Sequence, residues 1–119
     1  MTTPAPSPGQ CPICRLAEEG MAYAPPGKKR LKPADFTFTC EAHIGLAKGW
    51  HHMPSPIRDR IVDESLAAAA NLTGEYFDRI GKTDLATFTE AEFQTTFAVF
   101  LEHFGKEMSE RVGAHQAPF

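Results

Sequence analysis

Two close pairs of metal-ligating side chains constrain this chain more than any other feature of its sequence. Cys11 and Cys14 are separated by two residues, and so are Cys40 and His43. A pair at this spacing can hold one ion from a tight turn, and two such pairs complete the tetrahedron that zinc prefers. Because a catalytic zinc keeps one position open for water, the complete Cys3His set predicts a closed, structural zinc site.

The cysteine content favours metal binding over disulfide bonds. All three cysteines of the chain belong to the two pairs, and an odd number cannot be fully paired as disulfides. The first residues lack the basic and apolar regions of an export signal, so we expect the protein in a reducing cytoplasm. No apolar run approaches the ~20 residues of a membrane span, so we expect no membrane partner.

Charge is distributed unevenly along the chain. Up to residue 60, eight Lys and Arg outnumber five Asp and Glu, whereas from residue 61 onward ten acidic residues outnumber four basic ones. Only the zinc-binding half is therefore suited to nucleic acid. Its candidate residues for nucleic-acid or partner binding are Lys28, Lys29, Arg30, Lys32, Trp50, His51, His52 and Arg58. For the basic run, Lys28 to Lys32, a solvated hairpin tip is an equally good interpretation.

The segment between the two ligand pairs predicts a small β-hairpin. A strand is expected at Met21–Ala24, a Pro-Pro-Gly turn follows, and Phe36–Thr39 alternates apolar and polar residues. A helix is expected over Glu41–Lys48, with Cys40 and His43 at its first turn and Gly49 at its end. Knuckle, hairpin and helix in this order predict a treble clef. The alternative is a zinc ribbon, whose second ligand pair lies on another knuckle.

Two long amphipathic helices are predicted in the second half of the chain. Ser55 as N-cap and Pro56 at the first position begin one helix, and Gly81 ends it. A capping box of Thr89 and Glu92 begins the other, with Phe88 and Phe93 placed as a hydrophobic staple. The apolar stripe of this second helix is Phe93, Phe97, Phe100, Leu101, Phe104, Met108 and Val112, followed by Gly113 as its end. We expect the helices to pair antiparallel, with the phenylalanines in the core of one chain; an interface is the alternative.

These elements predict a small α+β protein that is mostly helical. Its parts are a flexible leader at 1–10, a zinc finger at 11–49, a linker at 50–55, a helical hairpin at 56–113 and a tail at 114–119. The leader is rich in proline and small polar residues and cannot bury much surface. The hairpin is expected to pack as one unit with the finger.

The motifs of common enzyme classes are incomplete in this sequence. Gly81-Lys82-Thr83 matches the end of a phosphate loop, but Tyr76 stands where that loop needs a glycine, and a helix ends there instead of beginning. The His-x-Glu of zinc deaminases and the His-Glu-x-x-His of metalloproteases are absent. Since no set of nucleophile, base and orienting group is apparent, we expect a protein that is not an enzyme.

The block from Ile80 to Phe93, with its Ile-Gly-Lys-Thr-Asp-Leu start, its aromatic residue and its capping box, resembles an uncharacterised family of small phage and prophage proteins. Members of this family pair an N-terminal zinc finger with such a block. The resemblance covers the finger from Cys11 to His43 and the hairpin from about Pro54 to Met108. His43 replaces the fourth cysteine of many relatives, and Phe93 replaces a usual tryptophan.

The resemblance implies an origin and an architecture but no activity. We expect an accessory protein that works by binding a host or phage protein in the cytoplasm of a bacterium or an infected host cell. Such binding would inhibit a replication, transcription or defence machine, for example a CRISPR system. Nucleic acid is the alternative partner, and the oligomeric state is left open.

Overall fold

Two short strands and three α-helices follow one another along the chain. In the computed structural model they are β1 (Met21–Tyr23), β2 (Thr37–Thr39), α1 (Ile44–His52), α2 (Ser55–Ile80) and α3 (Glu90–Ala114). Single 3-10 turns lie at Pro33–Asp35, Glu41–His43 and Leu85–Thr87. The structure describes residues 9–115, so most of the predicted leader and most of the predicted tail lie outside the described residues.

The predicted β-hairpin is present. Strands β1 and β2 pair antiparallel, with Met21 opposite Thr39 and Tyr23 opposite Thr37. The strand β1 is one residue shorter than expected, and the connection to β2 carries the basic run. Because the last residue of β2 directly precedes Cys40, the pairing of the hairpin fixes the position of that cysteine.

The helix after Cys40 differs from the prediction at both ends. Its first turn, Glu41–His43, is a 3-10 turn, and α1 continues through Gly49 to His52. Glycine inside a helix costs about 1 kcal/mol relative to alanine, and packing of the last turn, where Trp50 is buried, offsets that cost. The helix ends instead before Pro54, since proline holds the preceding Met53 in the extended conformation seen there. Of the predicted linker at 50–55, only Met53 and Pro54 lie outside a helix.

Helices α2 and α3 form the predicted helical hairpin. Helix α2 begins at Ser55, but its N-cap is Pro54, and no side-chain hydrogen bond caps it, so the prediction of Ser55 as N-cap was wrong. Its end is as expected: Gly81 has φ 67°, a left-handed conformation that glycine adopts without the steric cost of a Cβ.

The start of α3 agrees with the sequence pattern. Thr89 accepts a hydrogen bond from the Glu92 amide, and the Glu92 carboxylate accepts one from the Thr89 amide, which is the predicted capping box. The Phe88 ring meets the Phe77 ring of α2 edge-on at 5.4 Å, so this residue packs the loop against α2. The helix runs one residue past Gly113, to Ala114.

The core lies where the finger packs on one half of the helical hairpin. Its buried side chains come from the knuckle, from the chain just after β2, from the end of α1 and the residue after it, from the first two thirds of α2 and from the second half of α3. They are Cys11, Ile13, Cys14, Cys40, Trp50, Met53, Ile61, Val62, Ala69, Phe104, Met108 and Val112. Between residues 74 and 103, all of which the structure describes, no side chain is fully buried. Within the described part of the chain, no helix has both the length and the apolar character needed to cross a membrane.

Candidate metal centre

The four predicted ligands come together in the folded chain. One ligand atom from each of Cys11, Cys14, Cys40 and His43 lies within 4.8 Å of all the others. The Cys14 and Cys40 sulfurs are 3.9 Å apart, and His43 Nδ1 lies 3.7 Å from the Cys11 sulfur and 3.1 Å from the Cys40 sulfur. Ligands of a tetrahedral zinc lie about 3.5 to 3.8 Å apart, given Zn–S bonds of about 2.3 Å and Zn–N bonds of about 2.0 Å. The distances of 3.1 to 3.9 Å bracket these values, so the cluster is compatible with a zinc ion.

Local backbone structure places each ligand. The knuckle is a tight turn in which the Arg15 amide donates to the Cys11 carbonyl at 2.8 Å and the Cys11 amide donates to the Leu16 carbonyl at 2.7 Å. Arg15 has φ 64°, which lets the chain reverse after Cys14. In the second pair, the His43 amide donates to the Cys40 carbonyl at 3.1 Å, so the 3-10 turn brings the imidazole back beside the thiol.

Burial and neighbouring groups shift the pKa values of Cys11 and Cys14 in opposite directions. Burial is the main cause that raises the pKa of Cys14 to about 12, and the nearby Cys11 and Cys40 sulfurs add to it. Burial also raises the pKa of Cys11, but hydrogen bonds from the backbone amides of Cys14, Cys40 and Ile13 outweigh it, so that pKa is lower than usual. Three sulfurs this close cannot all carry negative charge unless a cation neutralises them.

The fourth ligand, His43, is poised to bind as a neutral imidazole. Its ring is half-buried, and burial lowers the pKa of His43 below its ordinary value. Its Nε2, which faces away from the sulfurs, lies 2.9 Å from Ser109 Oγ on α3. Sequence reasoning missed Ser109, because it lies 66 residues away along the chain and belongs to no ligand motif.

The donor set and its burial fit a zinc ion. Thiolates and imidazole are the ligands of protein zinc sites, and all three cysteines are at most 7% exposed. An ion bound here would be held by Cys11, Cys14, Cys40 and His43 and would supply the positive charge that the thiolates need. It would join the knuckle, the end of β2 and the start of α1.

Arg58 and Trp50, two predicted binding residues, contact each other inside the fold. The Arg58 guanidinium donates to the Trp50 carbonyl at 2.6 and 2.9 Å and to the His51 carbonyl at 2.8 Å. It also lies 5.2 Å from the centre of the buried Trp50 ring. The Trp50 carbonyl also accepts from the Met53 amide at 3.2 Å, so the Arg58 bonds add donors to the last carbonyls of α1 and join α2 to that helix.

The two neighbouring histidines fasten α1 to the β-hairpin. His51 Nδ1 is 2.8 Å from the Thr37 hydroxyl, and His52 Nε2 is 2.7 Å from the Tyr23 hydroxyl. Burial, and then the charges of His52 and Arg58, lower the pKa of His51. The pair therefore stabilises the packing of the finger, and no acidic or cysteine side chain of the described residues joins it in a second cluster of metal-ligand type.

The basic run lies on the exposed connection between β1 and β2. The Lys28 ammonium pairs with the Asp35 carboxylate at 2.6 Å, and this bond is the main reason that the pKa of Asp35 is lower than usual. Lys29, Arg30 and Lys32 have exposed side chains. The structure thus separates the predicted binding residues into an exposed cationic loop and a set used within the finger.

The Phe-rich stripe of α3 is divided between core and surface. Phe104 is 4% exposed, and Met108 and Val112 are fully buried. Phe93, Phe97 and Leu101, which we call the exposed stripe, are 44%, 55% and 41% exposed. The prediction that Phe97 lies in the core of one chain was wrong, because the finger covers only the C-terminal part of α3 and leaves the earlier turns open.

Lys82 forms hydrogen bonds that hold the loop between α2 and α3, and it does not belong to a phosphate loop. Its ammonium donates to the Glu92 carboxylate at 2.6 Å and to the Thr87 carbonyl at 3.1 Å. The Gly-Lys-Thr sequence therefore ends α2 and joins the loop to the start of α3.

No family model, no curated protein and no solved structure matches the chain.

Proposed function

We propose that this protein is a zinc-stabilised, non-enzymatic accessory protein that binds another protein through the exposed stripe. In this proposal the zinc holds the finger together and takes no part in chemistry. The proposal has two parts, a structural metal site and a binding surface on α3. The observation that carries the binding function is the exposure of Phe93, Phe97 and Leu101 on one face of a helix.

The structural role of the metal is supported by the number and burial of the ligands. Four protein side chains would fill the tetrahedron of a bound zinc and would leave no position for substrate or activated water. The order of elements is a Cys-x-x-Cys knuckle, a β-hairpin and a helix that begins beside the second pair. This order supports our proposal that the finger is a treble clef. A zinc ribbon would need a second knuckle, whereas a 3-10 turn leads from Cys40 into α1.

The binding role of the exposed stripe is supported by its spacing. Phe93, Phe97 and Leu101 recur every four residues, so they lie on one side of α3, and the Phe93 and Phe97 rings contact each other at 5.0 Å. Each Å² of apolar surface that such side chains expose to water is unfavourable by about 25 cal/mol. A contiguous exposed apolar surface of this kind is typical of protein interaction sites.

The charges around the stripe favour a partner with basic side chains. From Glu75 to Glu102, six Asp and Glu stand against two Lys and Arg. Of these, Glu92 is paired with Lys82, which leaves the end of the hairpin acidic. We therefore propose a partner segment that combines apolar residues with Lys or Arg, since such a segment matches both the apolar face and its acidic surroundings.

The biological setting of the proposal comes from the sequence resemblance. A small phage or prophage protein with a rigid finger and one exposed helix face suits an inhibitor that occupies a surface of a host machine. Replication, transcription and defence complexes, CRISPR systems included, bind nucleic acid and so offer basic surfaces. In this setting the acidic hairpin would compete with nucleic acid for such a surface.

The second candidate function is nucleic-acid binding by the basic run. It is favoured by the exposure of Lys29, Arg30 and Lys32 on one loop. Against it stand the pairing of Lys28 with Asp35 and the use of Arg58 within the fold. Three free cations would give weak, strongly salt-dependent binding without sequence preference.

Site-directed photo-crosslinking in phage-infected or prophage-carrying bacteria tests the proposal. A photo-reactive amino acid is placed at position 97 in the exposed stripe, at position 29 in the basic run, or at position 110 on another face of α3. We expect position 97 to give one dominant protein adduct whose crosslinked peptide carries Lys or Arg. Phe93→Ser should abolish that adduct, whereas Leu16→Ser, a change at an exposed leucine of the finger, should leave it.

The other outcomes would contradict the proposal in different ways. Adducts of nucleic acid at position 29, with none at position 97, would support the second candidate. Adducts only between two copies of the chain at position 97 would make the exposed stripe a dimer interface. Purified protein that is folded without bound metal would overturn the structural metal site.

A further inference from the structure

Helix α3 belongs to the metal centre as well as to the helical hairpin. We propose that Ser109 holds His43 in the tautomer that binds the metal, so that metal affinity depends on the docking of α3. Ser109 is a positioning residue, since it contacts the ligand and not the ion. This inference rests on the metal site of the proposed function.

The hydrogen bonds of Ser109 determine which nitrogen of His43 carries the proton. The Ser109 hydroxyl donates its only proton to the Gly105 carbonyl at 2.8 Å. Its oxygen can therefore only accept from His43 Nε2, which lies 2.9 Å away. A proton on Nε2 of a neutral imidazole leaves Nδ1 with a free lone pair.

The nitrogen left free by this arrangement is the one that faces the cysteines. His43 Nδ1 lies 3.1 Å from the Cys40 sulfur and 3.7 Å from the Cys11 sulfur. Ser109 thus orients both the proton and the ring of the one ligand that is not a thiol. Residues that donate or accept at the far nitrogen of a metal-bound histidine commonly raise metal affinity by about 10- to 100-fold.

A second contact between α3 and the finger supports the same coupling. A Cβ added at Gly105 would lie 3.3 Å from Cys14 Cβ, so the backbone of α3 passes directly over the knuckle. Gly105 is also the residue whose carbonyl takes the Ser109 proton. One turn of α3 therefore contacts a ligand from each pair, Cys14 and His43.

The test measures zinc affinity by competition with a chromophoric chelator. Ser109→Ala should weaken zinc binding about 10- to 100-fold, and Ser109→Thr, which keeps the hydroxyl, should restore most of the loss. The matched control is Thr96→Ala, which removes a similar hydroxyl that donates to the Glu92 carbonyl at 2.9 Å elsewhere on α3. Helical circular dichroism in excess zinc shows whether each variant is folded.

A double-mutant cycle separates positioning from a general packing effect. His43→Cys replaces the imidazole with a thiol that has no second nitrogen for Ser109 to hold. In that background Ser109→Ala should leave zinc affinity unchanged if Ser109 acts through the imidazole. In the wild type, a proton–nitrogen correlation spectrum should show a protected proton on His43 Nε2, and Ser109→Ala should remove that protection.

Three results would overturn the inference. They are an unchanged zinc affinity in Ser109→Ala, an equal loss in Thr96→Ala, and a loss that persists in the His43→Cys background. Each leaves the metal site itself intact, because the wild type still binds zinc in all three. A wild type that binds no zinc would instead contradict the proposed function.

Discussion

Cys11 and Cys14 of the candidate metal centre differ in how easily they lose a proton, since the pKa of Cys11 is lowered and that of Cys14 is raised. Cys14 has its pKa raised to about 12, chiefly by burial, so it is protonated at neutral pH in the metal-free fold. His43 has its pKa lowered by burial, so it is neutral and has no proton to lose from Nδ1 when Nε2–H is held. Metal binding must therefore displace protons from the thiols.

Zinc binding should release at least one full proton per chain near neutral pH, from Cys14. The sign follows from the raised pKa: the metal-free state holds a proton that the metal-bound thiolate lacks, so zinc affinity rises as pH rises. Calorimetry in buffers of different ionisation enthalpy measures the number released. Cys14→Ser should reduce that number and weaken binding, and a heat of binding that does not depend on the buffer would contradict the prediction.

Residue spacing predicted that Cys11, Cys14, Cys40 and His43 lie together, but it did not predict that Ser109 contacts this cluster. A Cys-x-x-Cys pair and a Cys-x-x-His pair lie within short turns, so the two spacings describe local geometry that the fold keeps. Ser109 meets His43 only because α3 packs on the finger, and no local pattern encodes that contact. The same limit applies to Arg58, whose position in sequence suggested a basic surface but whose guanidinium binds the end of α1.

At the scale of single elements, local sequence signals predicted the ends of helices correctly where no tertiary contact opposed them. The capping box of Thr89 and Glu92 and the left-handed Gly81 both lie at the predicted ends of helices. Gly49 failed as a helix end because the turn that follows it is held by tertiary contacts, among them the bond between His51 and Thr37. A terminator signal is a weak preference of about 1 kcal/mol that packing can override.

Thr89→Ala should lower the free energy of unfolding by about 1 kcal/mol, because it removes the acceptor for the Glu92 amide at the start of α3. The matched control is Thr95→Ala, an exposed threonine in the body of the same helix, which should be neutral or slightly stabilising. Urea denaturation in excess zinc measures both. Equal effects of the two changes would mean that the capping bond contributes nothing to stability.

At the scale of the whole molecule, the chain is elongated and its core is confined to one end. The described protein extends 57 Å along its longest axis and about 24 Å across. The finger, α1, the first half of α2 and the end of α3 enclose the buried residues, while the loop end of the hairpin has none. Helical periodicity identified the apolar stripe of α3, but it could not show how far along the helix the finger would reach.

Because the core covers only part of α3, alanine substitutions of two phenylalanines in this helix should lower the free energy of unfolding by different amounts. Phe104→Ala should lower the free energy of unfolding by about 3 to 5 kcal/mol, since it opens a cavity beneath the finger. Phe97→Ala should cost less than about 1 kcal/mol, because its ring is more than half exposed. Thermal and urea unfolding with excess zinc measure both variants, and light scattering reports their mass.

The comparison also tests whether the exposed stripe is free in solution. If the protein is a monomer, Phe97→Ala should keep both its stability and its mass, and the open face remains available to a partner with basic and apolar side chains. If Phe97→Ala costs as much as Phe104→Ala and halves the mass, a second copy must already cover the stripe. In that case the stripe would not be available to another protein, and the binding surface would lie on the finger. The exposed Lys29, Arg30 and Lys32 would then be the next residues to substitute.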